Sequence, residues 1–467
     1  MYLADASPFI SAPSYVNSGD TAWQLTAATL VGLMSLPGLA ILYGGLVKKK
    51  WALNSAVMCF YAFSIVLITW SLWGYNMAFG APAFAGAPGI LGGIVGIPHP
   101  AIGAAQEIGQ AIIPSAAGGL PPLRYAGSAM IYFQFVFAAI TPLLIVGSVL
   151  GRMNFKAWML FVPIWSTVVY SVGAFMIWGG GWLSQLGAVD YSGGYVIHLS
   201  AGVSGFVAAA VIGPRLSEDR KDFEPNNLIM AFAGAGILWL GWNGFNGGDP
   251  YTANADAAAA VLNTNIATAV ALLSWLILDM NVATVKKPNA VSMINGMITG
   301  LVAITPAAGY VDGYGAMAIG FFGSVIAWFS LNKVGQMAFM KKVDDTFGVV
   351  HTHGVAGLVG GLMVGIVANP AMVVYPSTDK KTSDSSYTGL LYGGGFTQLK
   401  WQALAAVVII GYDIIMTFLV LKLVSLIFPL RASDPDMEGG DLAIHGIDPM
   451  PAYAPPPGMR AGGAPAS

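Results

Sequence analysis

The sequence predicts an all-α membrane protein of eleven transmembrane helices, arranged as an inverted five-helix repeat plus one extra helix. Three observations carry this. Of the 467 residues, 56% are hydrophobic and only 9% charged, whereas a soluble domain is about a quarter charged. Eleven runs approach the roughly 20 apolar residues that a span needs. An acid–histidine–glycine pattern recurs five runs apart. The net charge of −2 gives no sign of a nucleic-acid partner, and the 60 glycines and 27 prolines fit helices that pack closely through small residues.

The runs follow one another along the chain. Residues 1–19 form an extracytoplasmic segment with neither a basic nor an apolar leader region, so no signal peptide is expected. The first run, 21–46, is followed by Lys48, Lys49 and Lys50. The second, 52–79, holds the single Cys59, whose apolar surroundings point to packing, so neither a disulfide nor a cysteine metal site is expected. A Gly-, Pro- and Ala-rich stretch, 80–127, makes a long outer loop. Runs 128–150 and 157–183 are separated by Arg152 and Lys156. Run 191–213 leads to Arg215, Arg220 and Lys221, run 227–246 to the mouth motif "GWNGFNGGD", and run 256–284 to Lys286 and Lys287. Runs 291–309 and 313–331 precede Lys333, Lys341 and Lys342. Run 348–369 and a polar loop, 370–400, lead to the last run, 401–429.

Loops after odd-numbered runs hold most of the basic residues, and those after even-numbered runs only Arg124, Lys380, Lys381 and Lys400. The positive-inside rule then puts the N-terminus outside and the C-terminus in the cytoplasm. The division expected is 1–19, a helical domain 20–430, and a cytoplasmic tail 431–467, acidic and then Pro/Gly-rich, with a short ordered stretch followed by disorder.

The fifth run opens with Asp190, and His198 follows eight residues later, then Gly202 and Gly205. The tenth repeats this with Asp345, His353, Gly357 and Gly360. Because five is odd, the two halves enter the membrane in opposite directions, and sites in such folds lie near the midplane between the halves. His198 and His353 are therefore expected to approach each other. Two neutral imidazoles offer donors and acceptors, which suit a small uncharged solute or a proton better than a metal cation. Packing is the plainer account of any one intramembrane histidine, and bis-histidine haem a third. The matched positions favour function. Asp190 and Asp345 are read as helix N-caps in preference to proton carriers.

Aromatic residues crowd the outer ends of the third, fourth and sixth runs: Tyr132, Phe133, Phe135 and Phe137; Trp178 and Trp182; Trp242 and Phe245. Phe135 and Trp182 read as interfacial belt. The others suit a cation–π cup that holds a compact cation, leading to a dry constriction and the histidine pair. The cation would leave its proton outside and cross as a neutral amine.

These residues, with "GLAILYGGLVKKK", "FAAITPLLIVGSVLGRMNF", "VDYSGGYVIHLSAG", "ITPAAGYV", "VDDTFGVVHTHGVAGLVG" and "EGGDLAIHG", resemble the ammonium transporter family (Amt/Mep/Rh), in its Amt-type form, from about residue 20 to 453. The resemblance implies an eleven-helix protomer of a homotrimer, one pore per protomer, in a cell (inner or plasma) membrane, conducting ammonia derived from ammonium, with no cofactor, no metal and no enzymatic activity. His198 and His353 match the paired pore histidines, Phe137 and Phe245 the gate phenylalanines, and Trp178 and Phe137 the recruiting cage with Phe133 beside it. Asp190 matches the acid near the cage, and Trp242 and Thr305 match further conduit residues. In the tail, Glu438, Gly439, Asp441, His445, Gly446 and Tyr453 resemble a regulatory terminus that cooperates with PII-type proteins.

One position departs from the family. Where a serine is usual, three residues after the Asn of "GFN", stands Asp249. Either it grips ammonium more strongly, the favoured expectation, or it turns into solvent. His351 is expected on another helix face than His353, with a structural role. Asp413 lacks an obvious partner, and His99 has no evident chemistry. The alternative function is an ammonium sensor with little or no conduction, although such receptors usually carry a signalling domain, which the roughly 37 residues after Leu430 are too few to make. A channel for neutral gas would leave the Trp178 cup without work.

Overall fold

In the computed structural model the described residues are 13–87, 89–113, 122–221, 224–283, 286–372, 374 and 386–447. Tyr453 and the Pro/Gly-rich end of the tail lie outside them, as do residues 1–12. Among the described residues ten helices are long and apolar enough to cross a membrane. In chain order they are α1 (Ser18–Leu46), α2 (Lys49–Phe79), α3 (Gly127–Val149), α4 (Phe155–Leu186), α5 (Gly194–Ile212), α6 (Leu228–Gly247), α7 (Ala255–Asn281), α9 (Gly313–Gln336), α10 (Val350–Val367) and α11 (Thr397–Ser425). Between α7 and α9 lies α8 (Ala290–Ile304), apolar but of only 15 residues. The eighth run of the sequence, 291–309, thus ends as a helix five residues early. Pro306 cannot continue it, and residues 305–310 proceed as turns, with Ala307 N donating to Ile304 O at 2.9 Å and Tyr310 N to Ala307 O at 2.8 Å.

Side chains set most of the helix starts. Asn17, Asn154, Asn227, Asn254 and Asn289 accept backbone N–H groups in the first turns of α1, α4, α6, α7 and α8, and Asp312 does the same for α9. Each satisfies donors that a helix start leaves unpaired.

Five stretches within these helices are wound as π-helix: Met34–Gly38, Trp70–Gly74, Ser166–Tyr170, Gly194–Leu199 and Val350–Val355. Pro37 sits inside the first, and Pro163 precedes the third. The last two contain His198 and His353. π-turns recur at functional positions.

Packing repeats between α1–α5 and α6–α10. α1 meets α6 and α5 meets α10, while the pairs α1–α3, α2–α3, α2–α4 and α3–α5 recur as α6–α8, α7–α8, α7–α9 and α8–α10. Small residues permit the crossings. A Cβ on Gly202 would lie 2.4 Å from the Gly354 backbone, and one on Gly45 2.5 Å from Ala231 N. α3 is buried almost throughout. α11 packs on α4, α5 and α10, outside the two sets. Leu273 and Ile277 of α7, Phe321 and Phe329 of α9, and Ile415 and Leu419 of α11 are exposed, an apolar perimeter that water does not tolerate. The chain is a multi-pass membrane protein.

Two expectations change here. Phe135 is fully buried, edge-on to Phe63 at 4.8 Å, because its helix runs through the middle of the bundle. Arg152, one of the loop cations of the sequence, is also fully buried. Its guanidinium donates to the carbonyls of Gly213 (2.6 Å) and Ser148 (2.8 Å), to Thr346 Oγ1 (2.9 Å) and to the Asp344 carbonyl. Nearby, Arg215 holds the Asp344 carboxylate at 2.7 and 2.9 Å. Burial alone would raise the Asp344 carboxyl, but the bonds and charge of Arg215, with Arg152 behind it, hold it below the usual carboxylate range.

Two short helices end the described chain, α12 (Asp434–Gly439) and α13 (Asp441–His445). The Asp441 carboxylate accepts Leu53 N and Asn54 N, each at 2.8 Å, at the start of α2. His445 Nε2 lies 3.1 Å from Asn54 Oδ1, and Lys50 Nζ donates to Met437 O at 2.9 Å.

Candidate functional site: a buried aromatic and histidine line

The site is built where α5 begins. Asp190 caps that start with both oxygens: Oδ1 accepts from Gly193 N (3.0 Å) and Gly194 N (2.6 Å), Oδ2 from Tyr195 N (2.8 Å) and Val196 N (3.0 Å). Four donors on one carboxylate, at the positive end of a helix, make a strong charge-assisted cap. Asp345 repeats the role in part, accepting from Val350 N at 2.9 Å. Three residues after each acid, the chain needs a left-handed turn, at Gly193 (φ +114°) and Gly348 (φ +67°). Such angles suit glycine because it has no Cβ. The sequence carries this signal as a glycine three residues after each acid.

The π-turns that follow aim the two imidazoles at each other. His198 Nδ1 and His353 Nδ1 are 3.3 Å apart, and both rings are buried, at 0% and 6% exposure. The expected approach of the two histidines is present. His198 Nε2 has no protein partner among the described residues.

An aromatic line continues from the pair. The His198 ring stacks on Trp242 (centroids 5.3 Å, 20°) and on Phe245 (5.8 Å, 23°). Trp242 Nε1 donates to Thr305 Oγ1 at 2.9 Å, where the turn after α8 presents the hydroxyl. Phe245 meets Phe137 at 4.5 Å with the planes 47° apart, so the two rings are tilted and not parallel. Phe137 then touches Phe133 (4.8 Å) and stands edge-on to Trp178 (6.3 Å, 89°). Trp178 Nε1 donates to the Asp190 carbonyl at 2.7 Å, tying the wall of the cup to the capped turn. Phe133, Phe137, Trp178, Phe245, Trp242, Thr305, His198 and His353 thus form one contiguous set, Asp190 bracing it.

Asp249 does not turn into solvent. It is 3% exposed, its Oδ2 is hydrogen bonded to Ser192 Oγ, and its carboxyl is also bonded to Tyr251. Tyr251 was not singled out from the sequence. It stands edge-on to Phe133 at 6.1 Å, accepts Gln134 Nε2 at 3.1 Å, and has φ +59°, the one described non-glycine residue with positive φ. No pattern of residue types around position 251 announces this, because the strain is held by tertiary contacts.

The remaining singled-out residues lie apart. His351 is on another face from His353, bonded through Nδ1 to Ser330 Oγ at 2.7 Å, and lines a cavity of about 510 Å³ with Asp345, Arg215 and Leu331. Asp413 is buried against α5, with Ser200 as partner, and one turn later Thr417 donates to Ser204 Oγ at 2.8 Å. His99 lies 3.2 Å from Asn76 Nδ2. Among the described residues no cluster of three or more His, Cys, Asp or Glu could hold a metal ion.

The family model described as Ammonium Transporter Family matches residues 22–449. Ammonium transporter 3 member 2 of Oryza sativa subsp. japonica is 47% identical over 458 residues, covering 95% of this chain and 91% of the relative. Ammonium transporter 2 of Arabidopsis thaliana is 48% identical over 446 residues, covering 95% and 89%. The crystal structure of Saccharomyces cerevisiae Mep2 superposes with a TM-score of 0.76 at 27% identity, covering 90% of this chain and 89% of that one. A fold of apolar helices, a histidine pair closing an aromatic line and relatives along nearly the whole chain agree: the chain belongs to the ammonium transporter family.

Proposed function

We propose that this protein takes up ammonium across a cell membrane. Ammonium is recruited in the cup of Phe133, Phe137 and Trp178, gives up its proton, and crosses as ammonia past Phe245, Trp242, Thr305 and the His198–His353 pair, with or without separate passage of the proton.

The observation that carries this reading is the contact between the two Nδ1 atoms. A hydrogen bond there needs one donor and one acceptor, so at least one ring presents a bare nitrogen and is uncharged. A buried pair of this kind offers hydrogen bonds to ammonia. It offers no oxygen shell to a dehydrated metal cation. The face of an aromatic ring attracts a compact cation, and three such rings stand at the entrance. The substrate named for the plant relatives supports the same choice.

The architecture that goes with this reading has eleven spans, α8 crossing together with the turns at 305–311, and α1–α5 related to α6–α10 as an inverted repeat. The recurring packing pairs and the doubled Asp–Gly–His pattern support it. The N-terminus lies outside and the tail in the cytoplasm, from the bias of basic residues. Three protomers assemble with one pore in each. Residues 1–19 and 20–430 are the outer segment and the transport domain, and Glu438, Gly439, Asp441, His445 and Gly446 belong to a regulatory tail, open to a PII-type partner, whose docking on α2 couples it to the transport helices.

Purified protein in proteoliposomes, given an ammonium jump, tests this. Ammonia flux, with or without a sustained current, is expected. Binding without flux or current would sink conduction in favour of the sensor.

A further inference from the structure

Ammonium that enters a dry aromatic line as ammonia must leave its proton on a group beside the cup. Two buried carboxyl groups lie there, Asp190 and Asp249. Asp190 is already occupied. Its oxygens accept four backbone N–H bonds, about as many as an ionised carboxylate can take, and a proton on either oxygen would displace the donors that hold the start of α5.

Asp249 is arranged differently. Ser192 Oγ lies 2.8 Å from the Phe245 carbonyl and is also bonded to Asp249 Oδ2. A serine hydroxyl has one proton, while a carbonyl and an ionised carboxylate only accept. With Asp249 ionised, one of these two contacts lacks a hydrogen. With a proton on Asp249, the carboxyl donates to Ser192, Ser192 donates to Phe245, and both are made. Tyr251 donates its own proton to the carboxyl and accepts from Gln134, so that side is complete in either state. Taking up a proton therefore completes the network. The network also touches both parts of the entrance: Ser192 holds the backbone of the gate residue Phe245, and Tyr251 packs on Phe133 of the cup.

We propose that Asp249 is the proton acceptor for recruited ammonium, with Ser192 and Tyr251 as its positioning residues. This rests on the transport reading above. An N–H bond of ammonium breaks, its electron pair stays on nitrogen to give ammonia, and an O–H bond forms on Asp249; the proton then passes to water and restores the carboxylate. The titratable groups around Asp249 are Asp190, held by its four donors; Asp256 of α7, bonded by Tyr191 OH at 2.9 Å; Tyr170 of α4; and Tyr251.

The test uses the full chain in proteoliposomes with ammonium as the probe. Asp249→Asn is expected to slow ammonia flux on the order of a hundredfold, the lower range for a positioned proton acceptor, and to flatten its dependence on external pH; Asp249→Glu restores most of it. Infrared difference spectra give a readout independent of flux: adding ammonium to the wild type raises a carboxylic-acid carbonyl band that is missing in Asp249→Asn and in Asp249→Ser. No band in the wild type, a band that survives both substitutions, or wild-type flux and pH profile in Asp249→Asn overturns the assignment. A band that responds to ammonium in a protein that passes no ammonia supports the assignment and defeats the transport reading alone.

Discussion

Removing Arg152 tests a residue whose importance comes from burial. Its five N–H donors serve carbonyls and a hydroxyl from three separate segments, and Arg152→Ala leaves those acceptors unpaired. We expect about 3–5 kcal/mol of destabilisation, read as a fall in unfolding temperature in detergent, with Arg152→Lys recovering little because an ammonium lacks the planar fork. Asp344 beside it gives a pH signature. Its folded pKa lies below the unfolded value near 3.9, so its contribution is present above the unfolded pKa and is lost as pH falls through the folded one. The unfolding temperature should therefore drop below about pH 4, and Asp344→Asn should be less stable at neutral pH with a shallower acid slope. An unchanged slope would remove Asp344 from this role. Neither effect was legible in the sequence, where Arg152 counted as a loop charge. A basic residue between two apolar runs reads the same whether its side chain turns to water or into the bundle. Phe135 misled for the matching reason: an aromatic near a helix end looks interfacial until the helix is found at the centre.

At the level of helices, the sequence was more informative, because its signals are local. Asp190 and Asp345 before the two histidines marked capped starts, and Asp190 caps its helix by accepting four backbone N–H bonds. The apolar runs fall on the observed helices to within a few residues, apart from α8, where Pro306 stops the helix. The π-turns were not legible, since their winding depends on what packs beside them. One crossing is directly testable. Gly202 meets the Gly354 backbone where α5 and α10 cross next to both histidines, and a Cβ there would stand 2.4 Å from backbone atoms. Gly202→Ala should cost about 1–3 kcal/mol through overpacking and separate the two imidazoles; a variant with wild-type unfolding temperature and wild-type flux would show that the crossing tolerates the methyl group. The tail offers a second test at this scale. Asp441→Ala removes the cap that α13 gives to α2 and should cost about 1 kcal/mol, with faster proteolysis after Arg431 as the direct readout.

For the molecule as a whole, the matching packing of α1–α5 and α6–α10 brings α5 and α10 together, and each contributes one ring to a shared contact that neither forms alone. This is why an echo eight residues long in the sequence pointed to the centre of the fold. The mouth was less legible. A single acid at position 249 in place of the usual serine invited two readings, and the Ser192 and Tyr251 partners that decide between burial and solvent come from segments far apart in the chain. The account as a whole requires the histidine pair to lie on the route taken by ammonia. Stopped-flow ammonia flux and ammonium-jump current, with potassium as the competing cation, should be measured together on reconstituted wild type and on protein carrying both His198→Ala and His353→Ala. The expected result is loss of ammonia flux, or of its discrimination against potassium, in the double variant; wild-type flux with unchanged discrimination would contradict it.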